Sequence, residues 1–165
     1  VALDKYGRDY APVAEDVSIQ SVNHLTEQIG EKRNILIEAA RIGRGRIKDI
    51  HEVDFAEYDA LIIPGGIGLL NNYRDSNVIK TCVTHFISEK NPVAAMCAGI
   101  DFLRRFYGSN LLAREMKELT AEKFCFDAEN NVYYTPAFRK TNNSYAALLG
   151  VESMIYALKQ AQTLR

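Results

Sequence analysis

The chain has 165 residues, of which 47% are hydrophobic and 25% charged, and its formal net charge is −1. This length and balance suit one globular domain with its own core, and the near-zero charge disfavours nucleic acid or an acidic membrane as a partner. Because no apolar run approaches the roughly 20 residues of a transmembrane helix, we expect no membrane-spanning segment.

Three cysteines stand at positions 82, 97 and 125. An odd number without paired spacing disfavours both a disulfide framework and a zinc cluster. We therefore predict no metal site, and no motif indicates a cofactor. Reduced cysteines are typical of the cytoplasm, which is the expected location.

The chain opens with VALDKYG, which lacks an initiator methionine and reads as the end of a strand. We expect a single domain over residues 1–165 whose N-terminal strand and first loop are not in this sequence. Residues 5–33 are polar and predict mostly loop, with one short strand at 17–22. The apolar stripe of NILIEAARIG then predicts a helix that Asn34 caps and Gly43 ends.

The middle of the chain alternates between buried strands and amphipathic helices. DALIIPGG and PVAAM are short apolar runs, which are typical of strands in a parallel sheet. SNVIKTCVTHFISEK carries a helical stripe with Ser76 as the N-cap, and IDFLRRFYG resumes helical spacing. This order predicts an α/β fold with a mostly parallel sheet between helices.

The end of the chain follows a different pattern. KFCF and VYYTPAF flank DAENN and predict a hairpin, and the last twenty residues predict a docked amphipathic helix. Residues 107–124 are weakly patterned, so we expect that a strand of the fold is missing there.

The segment NPVAAMCAGIDF predicts a cysteine on a sharp turn between a strand and a helix. Ala95 and Gly99 lie two residues to either side of Cys97, which follows the small-x-nucleophile-x-small pattern of a nucleophile elbow. The positive end of the following helix favours a thiolate there. The Ala98 N–H points to where an oxyanion forms. The alternative is that Cys97 is a buried thiol that only packs, as many cysteines do.

A glycine pair after the preceding strand supports the nucleophile interpretation. Parallel strands end at one edge of a sheet, where open α/β sheets bind ligands. If the two strands are neighbours, Gly65 and Gly66 reach the same edge as Cys97. The N–H groups of Gly66 and Ala98 would then hold a developing oxyanion together.

The remaining cysteines and histidines are weaker candidates. Cys82 lies on an apolar helical stripe and Cys125 lies in a strand between phenylalanines, so both are predicted to pack in the core. His85 lies off the stripe and is predicted to be solvated, while His51 lies in a polar stretch. His24, in the loop VNHLT, is the one histidine predicted to lie near a substrate.

In order along nearly the whole chain, these motifs resemble the superfamily of PfpI-type proteases and the Parkinson-associated deglycase, which has a class I glutamine-amidotransferase-like fold. VNHLT, EKRNILIEAARIGRGRI and NNVYYTPAF narrow the resemblance to its ElbB-like (glyoxalase ElbB) branch, which includes mitochondrial relatives. The resemblance implies a flavodoxin-like, doubly wound sheet and a homodimer. It also implies a small carbonyl substrate, Cys97 as nucleophile, and Gly66 and Ala98 as oxyanion amides.

Two departures accompany the resemblance. In related enzymes a glutamate in the loop after the first strand moves protons at the cysteine, and that loop is not in this sequence. Close relatives have Cys-Ile-x-Pro at the elbow, whereas Cys97 is followed by Ala98, Gly99 and Ile100. The change alters the floor of the pocket.

Three functional hypotheses follow. In the first, the Cys97 thiolate converts a small dicarbonyl such as glyoxal to a hydroxy acid through a hemithioacetal. In the second, a non-catalytic, redox-responsive or scaffolding protein carries an oxidisable Cys97. Glutamine amidotransfer is disfavoured, because its histidine follows the nucleophile in the family and all three histidines here precede Cys97. A eukaryotic source would predict a mitochondrial location.

Overall fold

A computed structural model describes residues 1–23 and 25–163. The strands are β1 (Val13–Ala14), β2 (Ser18–Val22), β3 (Ile29–Asn34), β4 (Lys48–Asp49), β5 (Leu61–Ile63), β6 (Val93–Met96), β7 (Cys125–Asp127) and β8 (Val132–Thr135). The α-helices are α1 (Ala2–Lys5), α2 (Ile35–Gly43), α3 (Ile67–Asn72), α4 (Asn77–Ser88), α5 (Gly99–Tyr107) and α6 (Ser144–Thr163).

The largest sheet has the strand order β5-β6-β8-β7. β5, β6 and β8 are parallel, and β7 is antiparallel to β8, which confirms both the mostly parallel sheet and the C-terminal hairpin. Two further pairs lie outside this sheet: β1 runs parallel to β4, and β2 and β3 form an antiparallel hairpin. The predicted strand at 17–22 is therefore present as one arm of a hairpin.

Hydrophobic residues cover both faces of the central strands, so the sheet is doubly wound. On β6, Val93 and Ala95 pack into the core formed with α4 and α5. Ala94, between them, faces the core formed with α1 and α6. This alternation follows from the two-residue period of a strand. The docked C-terminal helix is confirmed, with Met154 and Ile155 buried in the second core.

Local signals begin α2 and α4, and end α2, where the sequence predicts. The Asn34 side chain accepts a hydrogen bond from the Ile37 N–H, and the Ser76 hydroxyl accepts one from the Ile79 N–H. α2 ends at Gly43, and the next residue, Arg44, adopts the left-handed conformation. Residues 109–118 form consecutive turns in the weakly patterned segment, and Leu111 and Leu112 are buried there.

Candidate functional site

The carboxyl ends of β5, β6 and β8 meet at one edge of the sheet. Ile63 pairs with Ala95, and Met96 pairs with Thr135, so the three strands end level with one another. The glycine pair follows β5, Cys97 follows β6, and Pro136 follows β8. The predicted condition is met, because the two strands that deliver Gly65 and Cys97 are neighbours.

Cys97 occupies a sharp turn between β6, which ends at Met96, and α5, which begins at Gly99. Its φ of 49° lies in the left-handed region, where a non-glycine residue is strained. The Cys97 N–H donates to the Thr135 carbonyl at 3.1 Å, and the Tyr134 hydroxyl donates to the Cys97 carbonyl at 3.2 Å. Contacts with β8 therefore hold the strained residue at both ends. We call residues 96–99 the Cys97 elbow.

Close backbone contacts explain the glycines around the elbow. A Cβ atom on Gly65, which has a φ of 86°, would lie 2.3 Å from the Met96 carbonyl oxygen and 3.3 Å from the Ala98 nitrogen. A Cβ on Gly99 would lie 3.1 Å from the Ile63 carbonyl oxygen. The structure thus brings Gly65, Ala98 and Gly99 together with Cys97.

Gly66 lies beside this contact, at the start of α3. Its φ is 96°, and a Cβ atom there would meet nothing within 4 Å. The positive φ requires glycine, because an L side chain is strained in that conformation. Gly66 is exposed, whereas Gly65 is half-buried and Ala98 and Gly99 are buried.

A charged cluster beneath the elbow was missed by the sequence reasoning. Asp101 forms ion pairs with Arg139 and with Arg104, the latter at 3.4 Å. Arg139 also interacts electrostatically with the Tyr134 hydroxyl. Asp101 stands four residues after Cys97, one helical turn on, and that spacing was the available signal.

The two other cysteines differ from Cys97 in their surroundings. Cys82 is buried on α4, and burial raises the pKa of its thiol to about 11. Cys125 is half-buried in β7, and burial is the main cause that raises the pKa of its thiol to about 12. Both thiols stay protonated at neutral pH, which agrees with their predicted packing role. All three cysteines are free, and Cys97 is half-buried.

The histidines have separate environments. His24 lies outside the described residues, so its predicted place near a substrate stays a prediction. His51 is exposed, and its Nδ1 is 2.9 Å from Asp49 Oδ1. The prediction that His85 is solvated is wrong: its ring contacts Phe55 and Phe86, and its Nε2 is buried with no hydrogen-bond partner in the part of the chain that the structure describes. The stripe on α4 did not reveal this contact, because Phe55 comes from a distant segment.

The described residues contain neither a metal-binding cluster nor a membrane-spanning helix. Within residues 1–23 and 25–163, no group of three or more His, Cys, Asp and Glu side chains is arranged to hold a metal ion. In the same part of the chain, no helix is both long and apolar enough to cross a membrane.

Residues 13–108 match the model of the DJ-1/PfpI family. A human protein, "Glutamine amidotransferase-like class 1 domain-containing protein 3, mitochondrial", is 40% identical over 75 residues, which are 44% of this chain and 28% of the relative. The rat "ES1 protein homolog, mitochondrial" is 31% identical over 110 residues, which are 59% of this chain and 41% of the relative. The chain thus spans less than half the length of these relatives.

Solved structures with the same fold include an isoprenoid biosynthesis protein with an amidotransferase-like domain from Ehrlichia chaffeensis. It is 26% identical with a TM-score of 0.82, and the match covers 96% of this chain and 86% of that one. A ThiJ/PfpI domain protein from Brachyspira murdochii has a TM-score of 0.56 at 13% identity, with 99% of this chain and 85% of that chain covered. The predicted flavodoxin-like, class I amidotransferase-like fold is confirmed.

Proposed function

Because the chain belongs to the DJ-1/PfpI family, we propose that it is a cysteine-dependent, glyoxalase-like enzyme of the ElbB-like branch that converts small dicarbonyls such as glyoxal to hydroxy acids. The observation that carries the proposal is Cys97, a half-buried thiol held with left-handed φ between a parallel strand and a helix. A backbone strained at one residue and held by its surroundings is typical of functional sites.

The chemistry starts with addition of the Cys97 thiolate to one aldehyde carbon of glyoxal. The carbonyl π electrons move to oxygen, and the N–H groups of Gly66 and Ala98 stabilise that oxyanion before it takes a proton. Gly65 and Gly99 let the segment after β5 and the Cys97 elbow approach closely enough to form this oxyanion site. The product of this step is a hemithioacetal on Sγ.

The second stage moves hydrogen within the bound molecule. A base removes the proton from the hemithioacetal carbon to give an enediol, and reprotonation at the neighbouring carbon yields a glycolyl thioester on Cys97. Water then cleaves the thioester and releases glycolate and the free thiol. Glyoxal and water thus give glycolate with no external oxidant. By resemblance, the base is a carboxylate from the loop after the first strand of the family fold.

Turnover of glyoxal by the intact wild-type protein and by its Cys97→Ser variant tests the assignment. We expect kcat/KM to fall by about 100-fold or more, because the hydroxyl is a far weaker nucleophile. Glycolate is measured by proton NMR. Cys125→Ser, which changes another half-buried thiol, is the matched control and should stay within about twofold of wild type. Equal turnover by wild type and Cys97→Ser would rule out the proposal.

The second candidate is a redox-responsive, non-catalytic protein, and the difference between Cys97 and Cys82 favours it as the alternative. A half-buried thiol is more accessible to peroxide than one that is 5% exposed. Peroxide titration followed by mass spectrometry should find Cys97 oxidised before Cys82. If both oxidise at the same rate, the sensor function fails.

The resemblance also leads us to propose a homodimer in the cytoplasm or, as in the names of the human and rat relatives, in the mitochondrion. Three free cysteines fit a reducing compartment. Sedimentation equilibrium measures the assembly, and a single monomeric mass over a hundredfold range of concentration, on the order of 1 to 100 μM, would contradict the dimer.

A further inference from the structure

The peptide unit between Cys97 and Ala98 has two functional ends. A peptide unit is planar and trans, so its carbonyl and its N–H point in opposite directions. The Cys97 carbonyl and the Ala98 N–H belong to this one unit. A group that fixes the carbonyl therefore also fixes the direction of the N–H on the other side.

Tyr134 is placed to fix that carbonyl. Its hydroxyl donates to the Cys97 carbonyl oxygen at 3.2 Å, from a side chain that is 0% exposed. The next residue on β8, Thr135, accepts the Cys97 N–H at 3.1 Å. Two successive residues of β8 thus bond to the two polar groups of Cys97.

The Tyr134 hydroxyl also interacts with a charged pair at the sheet edge. The Arg139 guanidinium interacts electrostatically with this hydroxyl and forms an ion pair with Asp101. Burial is the main cause that raises the pKa of Tyr134 to about 12, against the opposing effect of Arg139. The hydroxyl therefore stays protonated at neutral pH and remains a donor.

We propose that Tyr134, through its hydrogen bond to the Cys97 carbonyl and beside the Arg139–Asp101 pair, is a positioning residue that aims the Ala98 N–H at the oxyanion formed when Cys97 attacks a carbonyl. This inference rests on the proposed function for Cys97 as the nucleophile and Ala98 as an oxyanion donor. It adds a group that acts through the backbone and does not touch the substrate. The groups that form the arrangement come from two separate stretches of the chain, residues 97–101 and residues 134–139.

Two reactions of the same thiol separate positioning of the N–H from general disruption of the elbow. Iodoacetamide alkylates Sγ by displacement of iodide, and no oxyanion forms. With p-nitrophenyl acetate, the thiolate attacks the carbonyl carbon, an oxyanion forms, and p-nitrophenolate leaves while the acetyl group stays on Sγ. Only the second reaction uses the oxyanion donors.

Tyr134→Phe removes the hydroxyl and keeps the ring. We expect acetylation of Cys97 to slow by about 10-fold or more, since loss of an aligned oxyanion donor costs on the order of 100-fold. Alkylation by iodoacetamide should change by less than about twofold. Both rates are measured at several pH values, with the modified cysteine identified by mass spectrometry.

Tyr107→Phe is the matched control. Its hydroxyl is also buried, but it has no hydrogen-bond partner among the described residues, and burial raises the pKa of Tyr107 to about 12 as well. Both rates should stay within about twofold of wild type for this variant. Arg139→Met removes the guanidinium that interacts with the Tyr134 hydroxyl and leaves the buried ring unchanged. It should slow acetylation by about threefold.

The outcomes distinguish this inference from the proposed function. Equal slowing of both reactions in Tyr134→Phe, or acetylation at the wild-type rate, would overturn the positioning role. If Tyr134→Phe does not fold, acetylation of Arg139→Met at the wild-type rate overturns it. A wild-type chain that is not acetylated at Cys97 also overturns it. A selective loss of acetylation in a chain that does not turn over glyoxal supports the positioning role and rejects the glyoxalase.

Discussion

The Cys97 elbow and the β2–β3 hairpin each contain a non-glycine residue in the left-handed conformation. Cys97 has a φ of 49°, and Glu27, in the hairpin turn, has a φ of 58°. The Glu27 N–H bonds locally to the Asn23 carbonyl at 2.8 Å, whereas Cys97 bonds to β8, on a different part of the chain. Glu27 is thus bonded within its own turn, whereas the elbow is bonded to a strand that comes later in the chain.

The hairpin and the elbow also differ in how deeply their residues are buried. Val22 and Ile29, paired across the hairpin, are 53% and 76% exposed, while the residues behind the elbow on β6 and β8 are almost completely buried. Changes at the elbow should therefore affect stability and chemistry together. Changes on the hairpin side, which we define as β2, β3 and α2 with the turn after it, should have smaller effects on stability and leave the chemistry of Cys97 unchanged.

The largest effect is expected for Gly65→Ala. The new Cβ would lie 2.3 Å from the Met96 carbonyl oxygen at a φ of 86°. Strain and overpacking together should lower the free energy of unfolding by about 2–4 kcal/mol. Urea denaturation measures this loss, and alkylation of Cys97 should change as the elbow moves.

Gly45→Ala is the control on the hairpin side, because Gly45 has a φ of 77° and a Cβ at this position would meet nothing within 4 Å. The substitution should lower the free energy of unfolding through backbone strain alone, by about 1–2 kcal/mol. An equal loss in both variants would show that the contact of Gly65 with the elbow contributes nothing.

The next effect is expected for Gly150→Ala in α6. Alanine normally stabilises a helix interior, but here its Cβ would lie 2.1 Å from the Ala121 carbonyl oxygen and 2.5 Å from Thr135 Oγ1. We expect a net loss of about 1–3 kcal/mol from overpacking, read from the urea midpoint.

Gly43→Ala in α2 supplies the comparison. Its Cβ would meet Ile47 Cβ at an ordinary 3.9 Å. The higher helix propensity of alanine should stabilise the chain by up to about 1 kcal/mol. The comparison fails if Gly150→Ala is as stable as Gly43→Ala.

A smaller effect is expected for Leu25→Ser in the hairpin turn. Leu25 is 95% exposed, so the change removes almost no buried surface. The free energy of unfolding should change by less than about 0.5 kcal/mol, and the rate of Cys97 alkylation should not change. A loss comparable to that of Gly65→Ala would show that the hairpin is packed against something in solution.

The smallest effect concerns pH, near the base of the hairpin. A hydrogen bond that the His51 ring donates to the Asp49 carboxylate raises the pKa of His51, and the same hydrogen bond lowers the pKa of Asp49. The contribution of His51 to the stability of the fold is fully present below the ordinary histidine pKa and is lost as pH rises through the raised pKa. The Asp49 contribution is present above the ordinary aspartate pKa and is lost as pH falls through the lowered value.

The pair should therefore stabilise the fold most between about pH 4 and 6.5. An NMR titration of the His51 ring protons measures the shift. Asp49→Asn should move the pKa of His51 down toward its ordinary value, and an unchanged titration would exclude the pair.

Local patterns in the sequence were enough to predict most elements near the site. The apolar stripe of α4, the caps at Asn34 and Ser76, and the small residues around Cys97 all act over a few positions, so they can be read along the chain. The wrong prediction for His85 shows that local patterns do not predict contacts between distant segments. Its aromatic neighbour Phe55 comes from a separate segment well before α4, and no helical period reveals such a contact.

The sequence by itself determined that a strand, Cys97 and a helix follow one another with small residues between them, because sharp turns exclude larger side chains. The tertiary structure decided which groups meet at that turn. Parallel pairing of β6 with β8 brings Tyr134 beneath the Cys97 carbonyl, and the chain after β8 returns Arg139 to Asp101. These contacts depend on strand order, which local periodicity does not encode, since each strand has the same two-residue pattern whichever neighbour it pairs with.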